Sequence, residues 1–258
     1  MCYFLARAAL VLRGKLSKRP TNLHVIPVID LKSGVVVRAV AGDRGNYRPI
    51  DTPLAPASCD PIDVVKGLTA FCDDFEWLYV ADLDGIEVRG RDRDSIQRLC
   101  DAFPQLRFLV DDGSATLRDI SAFADHPRIT PVIGSESLRS LRQLAAITDR
   151  LRGEIALSLD WRAGRRLGPD ELFDDSSHWP NTLIVMSLDR VGLREGPDLD
   201  RLNEVKSRAG DRQVLAAGGV RNVDDLRSVH QLGCGALIAS CLHDGTITRG
   251  SLATLLGL

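Results

Sequence analysis

Short apolar runs alternate with amphipathic stretches of helical period from His24 to the end of the chain. Most of the runs are continuously apolar, which is typical of parallel strands that helices cover on one face and side chains fill on the other. The pattern predicts eight strands, at Val25–Asp30, Trp77–Asp82, Leu106–Val110, Ile129–Ile133, Glu154–Asp160, Thr182–Ser187, Gln213–Ala217 and Ala236–Ala239.

Helix signals lie between these strands. Asp60 and Pro61 predict a helix start, since proline is tolerated in the first turn. Asn222 predicts the start of another helix, and Gly233 predicts its end. The stretch Ser137–Arg152 carries apolar residues along one face and predicts a third helix.

Eight strand–helix units in 258 residues favour an α/β fold of the (β/α)8 TIM-barrel type. The alternative is an open doubly wound sheet, which is disfavoured because no GxGxxG motif follows the first strand. We expect residues 23–258 to form the barrel and residues 1–22 to form an N-terminal extension. The extension combines an apolar stretch with a basic run and no clear cleavage site, so an extra arm is favoured over a secretion signal.

Two segments interrupt the alternation. Ser33–Cys59 is a long insertion after the first strand, and Val35–Val40 within it predicts one strand of a hairpin. Trp161–Asn181, after the fifth strand, shows little helical pattern. Both are expected at the C-terminal face of the barrel, where loops carry function.

The two halves of the chain repeat each other, so the barrel is expected to have a two-fold half-barrel repeat. Strand one leads into Asp30-Leu-Lys-Ser-Gly and strand five into Asp160-Trp-Arg-Ala-Gly, so that both read D-x-[K/R]-x-G. Strands one and five face each other across a symmetric barrel. We therefore predict that Asp30 and Asp160 approach one ligand from two sides as a catalytic acid–base pair. The alternative role for each is to cap the following turn.

Glycines after the seventh strand predict a phosphate site. Gly218 and Gly219 precede a helix, so backbone N–H groups can approach an anion there. Ala239 and Ser240 would add a second set of donors after strand eight. Gly134 and Ser135, after strand four, carry a weaker version of the same signal. The alternative is a set of tight turns without a ligand.

Three further polar residues lie near strand ends. Asp82, Arg165 and Arg166 are possible substrate contacts, although capping or a solvated surface would also explain them. No histidine accompanies the strand-end aspartates, so no metal site is predicted. No cofactor motif is present, and none is predicted.

Composition narrows the class of partner. The net charge of −2 and pI near 6.2 disfavour nucleic acid and membrane surfaces as partners. We expect a small phosphorylated metabolite as ligand and a monomer or small homo-oligomer. Six scattered cysteines without a CxxC pair are typical of free thiols in a reducing compartment, so a cytoplasmic location is expected.

From about Val25 onward, the chain resembles the ProFAR isomerase family of histidine-biosynthesis barrels. The resemblance rests on Ile26-Pro-Val-Ile-Asp-Leu-Lys-Ser-Gly-Val-Val-Val-Arg38, Val80-Ala-Asp-Leu83, Leu159-Asp160 and Ala217-Gly-Gly-Val-Arg221. It implies an Amadori rearrangement of an aminoaldose to an aminoketose. It further implies that Asp30 removes the C2 proton, that Asp160 assists ring opening, and that loops after strands three/four and seven/eight hold two phosphates.

The chain also departs from the family pattern. Asp111-Asp112-Gly113-Ser114 stands where the family usually has a glycine run after strand three, and two carboxylates there would repel a phosphate. Two enzymatic interpretations follow. One is a diverged ProFAR isomerase in which Arg165 or Arg166 holds the second phosphate. The other is a paralogue acting on a different, singly phosphorylated metabolite outside histidine biosynthesis. A non-catalytic barrel that binds a phosphorylated ligand is a third interpretation, of a different class.

Overall fold

The computed structural model describes residues 24–39, 44–120, 125–193 and 195–257. The predicted extension 1–22 lies outside the described residues. Within them, the strands in chain order are β1 (Val25–Lys32), β2 (Val35–Arg38), β3 (Arg48–Pro49), β4 (Trp77–Asp82), β5 (Arg107–Asp111), β6 (Ile129–Gly134), β7 (Ala156–Arg162), β8 (Arg165–Leu167), β9 (Thr182–Ser187), β10 (Gln213–Ala217) and β11 (Gly235–Ile238).

Eight of these strands form a closed parallel barrel. Their order is β1-β4-β5-β6-β7-β9-β10-β11, and β11 pairs back onto β1 through Val25↔Ala236 and Pro27↔Ile238. The remaining strands β2, β3 and β8 are antiparallel additions at the C-terminal ends of β1 and β7. The predicted TIM barrel is confirmed.

Helices follow the barrel strands. They are α1 (Pro61–Phe71), α2 (Leu83–Ile86), α3 (Arg93–Ala102), α4 (Leu117–Ile120), α5 (Leu141–Arg150), α6 (Glu171–Asp174), α7 (Leu199–Ala209), α8 (Val223–Gln231), α9 (Ser240–His243) and α10 (Arg249–Leu256). Asp60 caps α1 by accepting the Ile62 N–H, and Asn222 caps α8 by accepting two backbone N–H groups. Both predicted helix starts are confirmed. None of the described helices is both long and apolar enough to cross a membrane.

The helix predicted at 137–152 begins later than expected. Ser135–Ser137 forms a 3-10 turn, the backbone of Leu138 and Ser140 is extended, and α5 starts only at Leu141. The reason is the burial of Leu138, whose side chain enters the core before the helix begins. The early apolar position therefore belongs to a turn rather than to the helical face.

Strand alternation divides the core into two layers. Side chains such as Ile26, Tyr79, Leu109 and Val132 fill the barrel interior, while the intervening residues pack outward against the helices. This period of two fixes which polar residue at each strand end faces the barrel mouth. The described cysteines are free thiols, four of them buried.

The half-barrel repeat extends to a pair of hairpins. β2 folds back on β1 with Asp30↔Val37, and β8 folds back on β7 with Asp160↔Leu167. Both turns place two consecutive residues at positive φ, Ser33-Gly34 in the first and Ala163-Gly164 in the second, as a type I′ turn requires. The predicted hairpin after strand one is confirmed, and 161–181 contains its counterpart together with α6.

Candidate active site

Asp30 and the predicted phosphate cradle line the same cavity at the C-terminal face of the barrel. Gly218 and Gly219 lie in this cavity, and so do Ala239 and Ser240. Both glycines have positive φ, and a Cβ on them would stand 2.5 Å from the Ser187 carbonyl oxygen and 2.2 Å from that of Gly196. Only glycine fits this path, so the backbone itself forms this wall of the cavity.

Asp160 is the buried member of the predicted pair, with 4% of its surface exposed. Its carboxylate accepts hydrogen bonds from the Ser158 hydroxyl and from the Glu136 backbone N–H, the latter at 3.1 Å. Burial raises the pKa of Asp160 to about 7, and the charge of Glu136 acts in the same direction against the hydrogen bonds. The carboxyl group can therefore hold a proton near neutral pH.

Asp111 is a third aspartate in the barrel mouth. It lies two residues after the inward-facing Leu109 and therefore points inward, where its Oδ2 accepts the Tyr79 hydroxyl at 3.1 Å. Burial raises its pKa to about 7 as well, and the charge of Asp160 is the next cause. The charges of Asp111, Asp160 and Asp30 all raise the pKa of Tyr79, so the four groups lie in one site.

Asp112 points the other way. Its Oδ2 lies 3.0 Å from Arg91 Nε, and its Oδ1 accepts the Ser114 N–H. The two carboxylates that looked equivalent in the sequence therefore differ, because alternation along β5 sends them to opposite sides of the barrel wall.

Gly134 and Ser135, the weaker of the two phosphate predictions, lie next to Asp160. A Cβ on Gly134 would lie 3.3 Å from Asp160 Oδ2 and 4.0 Å from Asp111 Oδ2. The fully buried Ser135 hydroxyl lies 3.1 Å from Asp160 Oδ2 and 2.7 Å from the Leu167 carbonyl oxygen. With acidic oxygens on both sides, this loop does not favour the phosphate contact expected from the sequence.

Two of the three possible substrate contacts, Asp82 and Arg166, bond other residues of the protein. Asp82 is fully buried, and its two oxygens accept the backbone N–H groups of Gly85 and Asp92, so it is a capping residue. Arg165 and Arg166 are exposed on β8, and Arg166 bonds Asp174 at 2.7 Å. Neither arginine is among the residues that line the cavity of Asp30.

His243 also lines this cavity and was not singled out from the sequence. Its Nδ1 lies 3.1 Å from Thr52 Oγ1, while its buried Nε2 has no hydrogen-bond partner among the described residues. Burial lowers the pKa of His243 to about 4, with the charge of Arg38 as a further cause. The ring is thus neutral across the physiological range.

The inward direction of Asp111, Tyr79 and Ser158 was available in the sequence, since each lies two residues from another inward-facing position. His243 gave no such signal, because Thr52 is 191 positions away. Within the described residues, no group of three or more His, Cys, Asp or Glu side chains is arranged to hold a metal ion.

Residues 24–248 match the sequence model of a family described as "Histidine biosynthesis protein". The chain belongs to this family. It is 26% identical over 234 residues to an uncharacterized protein of Methanocaldococcus jannaschii, covering 87% of this chain and 95% of the relative.

Two further relatives carry the name 1-(5-phosphoribosyl)-5-((5-phosphoribosylamino)methylideneamino)imidazole-4-carboxamide isomerase, or ProFAR isomerase. The one from Frankia casuarinae is 28% identical over 242 residues, covering 88% of this chain and 90% of the relative. The one from Cenarchaeum symbiosum is 27% identical over 254 residues, covering 90% of this chain and all of the relative. The similarity to these named isomerases covers about nine tenths of this chain.

Proposed function

We propose that this protein is an aldose–ketose isomerase that rearranges a phosphorylated ribosylamine, with Asp30 as base and Asp160 as acid. The main support for this proposal is that Asp30 lies in the same cavity as the glycine cradle, while Asp160 is buried and able to hold a proton at neutral pH. The named ProFAR isomerases among the relatives support the same reaction class.

In the proposed reaction, the proton of Asp160 moves to the ring oxygen of the sugar as the C1–O bond breaks. The amine nitrogen supplies the electron pair and becomes an iminium. Asp30 then removes the C2 proton, which neutralises the nitrogen and leaves an enol. Delivery of a proton to C1 and loss of the enol proton complete the aminoketose and restore both carboxyl groups. Only protons move and the overall oxidation state is unchanged, so the reaction requires no cofactor.

The phosphate of the substrate is assigned to Gly218, Gly219, Ala239 and Ser240. Gly218 and Gly219 carry no side chains of their own, so their backbone is open to a ligand in this cavity. Binding at this end would hold the sugar with C1 and C2 over the carboxyl groups, which is the positioning that a bound phosphate contributes to catalysis.

The acidic half of the barrel mouth favours a substrate with a single phosphate. The charge of Glu136 raises the pKa of Asp160, and the charges of Asp160 and Glu136 raise that of Asp111, so three acidic groups lie close together here. A second cleft beyond Glu136 is lined by Gly113, Thr116 and Arg139. A distal phosphate would have to pass the carboxyl groups to reach it, at an electrostatic cost in a poorly solvated site. A singly phosphorylated substrate is therefore the second candidate beside ProFAR. Such a substrate would place the protein outside histidine biosynthesis.

Turnover of two substrates separates the candidates. The wild-type protein is assayed with ProFAR and with a singly phosphorylated N-substituted ribosylamine, and the aminoketose is measured by NMR. The acidic half predicts the higher kcat/KM for the singly phosphorylated compound; a preference for ProFAR supports the diverged-isomerase candidate. Absence of turnover with both, together with binding of inorganic phosphate seen by 31P NMR, would indicate the non-catalytic barrel.

The catalytic pair has its own test. Asp30→Asn and Asp160→Asn should each lower kcat by about 100- to 10,000-fold, the usual contribution of a general acid or base. Asp174→Asn removes an exposed carboxylate that bonds Arg166 and serves as the control, with kcat unchanged. Wild-type rates in either active-site variant would exclude the assigned roles.

A further inference from the structure

Asp111 has no task in the proposed reaction, yet it faces the acid. Asp111 lies at the end of β5 and Asp160 in β7, and the strand between them presents Gly134. The site of a Cβ on that glycine is 4.0 Å from one carboxylate and 3.3 Å from the other. The missing side chain thus opens a gap in the inner wall through which the two carboxyl groups face each other.

We propose that Asp111 is a positioning residue that keeps the catalytic proton on Asp160. The negative charge of Asp111 opposes ionisation of its neighbour, so the pair carries one proton in the resting enzyme. This inference rests on the proposed function, in which Asp160 acts as the acid.

The surroundings decide which member holds the proton. Asp160 is 4% exposed, whereas Asp111 is only partly buried, so charge on Asp111 is better solvated. Asp111 receives the Tyr79 hydroxyl and the Gly113 N–H, and Asp160 receives the Glu136 N–H as its one backbone donor in the described part of the chain. Around Asp160, the Ser158 hydroxyl can rotate to accept a proton instead of donating one. Both effects favour a charged Asp111 beside a neutral Asp160.

The Ser135 hydroxyl fits this arrangement. It lies 2.7 Å from the Leu167 carbonyl oxygen and 3.1 Å from Asp160 Oδ2, and its single hydrogen serves the closer acceptor. Its oxygen meanwhile accepts the Asp160 backbone N–H at 2.9 Å. Ser135 therefore holds the strand end in place without stabilising a negative charge on the Asp160 carboxyl group.

The other side chains that face the pair are acidic or uncharged. Asp30 approaches from β1 and Glu136 from the turn after β6, both acidic, and Tyr79 approaches from β4. The inward residues Met186 of β9 and Ala217 of β10 carry no charge. Within the described residues, no cation forms a salt bridge with Asp111 or Asp160. Removal of Asp111 should therefore lower the pKa of Asp160 without returning it to the value of an exposed aspartate.

The decisive experiment reads the carboxyl groups directly and needs no substrate. The full-length protein is labelled with carboxyl-13C aspartate, and Asp111 and Asp160 are assigned from the Asp111→Asn and Asp160→Asn spectra. In the wild type, Asp111 should ionise at lower pH than Asp160. Asp111→Asn should lower the pKa of Asp160 by about one unit or more, and Asp160→Asn should lower that of Asp111, because the coupling is reciprocal.

Asp112→Asn is the matched control, since it removes the adjacent carboxylate on the outer side of the barrel wall. It should leave the Asp160 titration unchanged. An Asp111 that keeps its proton while Asp160 ionises first would overturn the inference, and so would an Asp160 titration that is unmoved in Asp111→Asn. Either result stands whether or not the protein isomerises a sugar, so failure of the proposed function remains a separate outcome.

A pH profile of kcat adds a reading that a purely structural role would not move. The alkaline limb reports loss of the Asp160 proton, and Asp111→Asn should shift it about one unit toward lower pH. A uniform fall in kcat at every pH, with the limb unmoved, would assign Asp111 to structure alone.

Discussion

His243 is a neutral imidazole held between a loop and the end of the barrel. Its Nδ1 faces Thr52 Oγ1, which also accepts the Leu54 N–H at 3.2 Å. His243 lines the cavity of the glycine cradle, and its neutral ring adds no charge there.

Burial of this ring makes stability depend on pH. The pKa of His243 falls from 6.5 to about 4 on folding, so between these values the unfolded chain binds more protons and stability rises with pH. The contribution is complete above pH 6.5 and lost toward pH 4, about 3 kcal/mol in all. His243→Gln should remove this rise, so that the free energy of unfolding from urea titrations falls more steeply from pH 5 to pH 7 than in the wild type. His178→Gln, at an exposed histidine, is the control, and an unchanged slope in His243→Gln would contradict the assignment.

At the scale of single residues, the sequence predicts the site residues that a repeated motif or a glycine pair marks. Asp30 and Asp160 follow from the shared motif, and Gly218 and Gly219 follow from the glycine pair before a helix. The opposite directions of Asp111 and Asp112 also follow from alternation, once the last residue of β5 is known. The strand was predicted to end at Val110, one residue too early. Both aspartates therefore fell in a predicted loop, where alternation does not tell which way a side chain points.

At the scale of elements, the two hairpins are the structural form of the repeat. Equivalent pairs, Asp30↔Val37 and Asp160↔Leu167, hold each aspartate between a barrel strand and an added strand. The first hairpin lines the cavity through Val36, Val37 and Arg38, while the second supplies the Leu167 carbonyl oxygen to Ser135. One hairpin thus positions the proposed base, and its counterpart positions the proposed acid.

Alanine at the turn glycines tests this equivalence. Gly34 and Gly164 have φ of 78° and 74°, and nothing lies within 4 Å of an added Cβ, so the cost of alanine is conformational only. Gly34→Ala and Gly164→Ala should each lower the free energy of unfolding by about 1 kcal/mol. Gly250→Ala is the control, because this helical glycine has equal space and no positive φ, and its replacement should stabilise. Equal losses in all three variants would contradict the turn assignment.

Strands were easier to predict than turns. Trp77–Asp82, Thr182–Ser187 and Gln213–Ala217 have the predicted bounds, because each is a buried run that a polar residue or a glycine pair ends. The strand β8 was not predicted, since its Arg165-Arg166 sequence is exposed and lacks an apolar run. Its existence depends on pairing with β7, which a local pattern does not contain.

For the whole molecule, the buried acidic groups and the buried histidine oppose each other in the pH dependence of stability. Raised pKa values of Asp111 and Asp160 mean that the folded state binds more protons than the unfolded chain between about pH 4 and pH 7. Stability from these groups is therefore present at low pH and lost as pH rises through 7. His243 contributes the opposite trend and offsets part of this fall, so His243→Gln should steepen the pH dependence of stability and Asp160→Asn should flatten it.

Asp160→Asn should therefore be inactive and yet more stable than the wild type at alkaline pH. An amide oxygen in the place of Oδ2 still accepts the Glu136 N–H, and the amide group can donate to Ser158, so the substitution leaves no buried group unpaired. In urea unfolding, the variant should gain about 2 to 4 kcal/mol over the wild type between pH 5 and pH 8, since the wild type must bury a second charge beside Asp111. Asp174→Asn, on the surface, should show no such gain. A variant that is less stable than the wild type at pH 8 would mean that Asp160 is held as a structural anion, and its role as a proton donor would have to be abandoned.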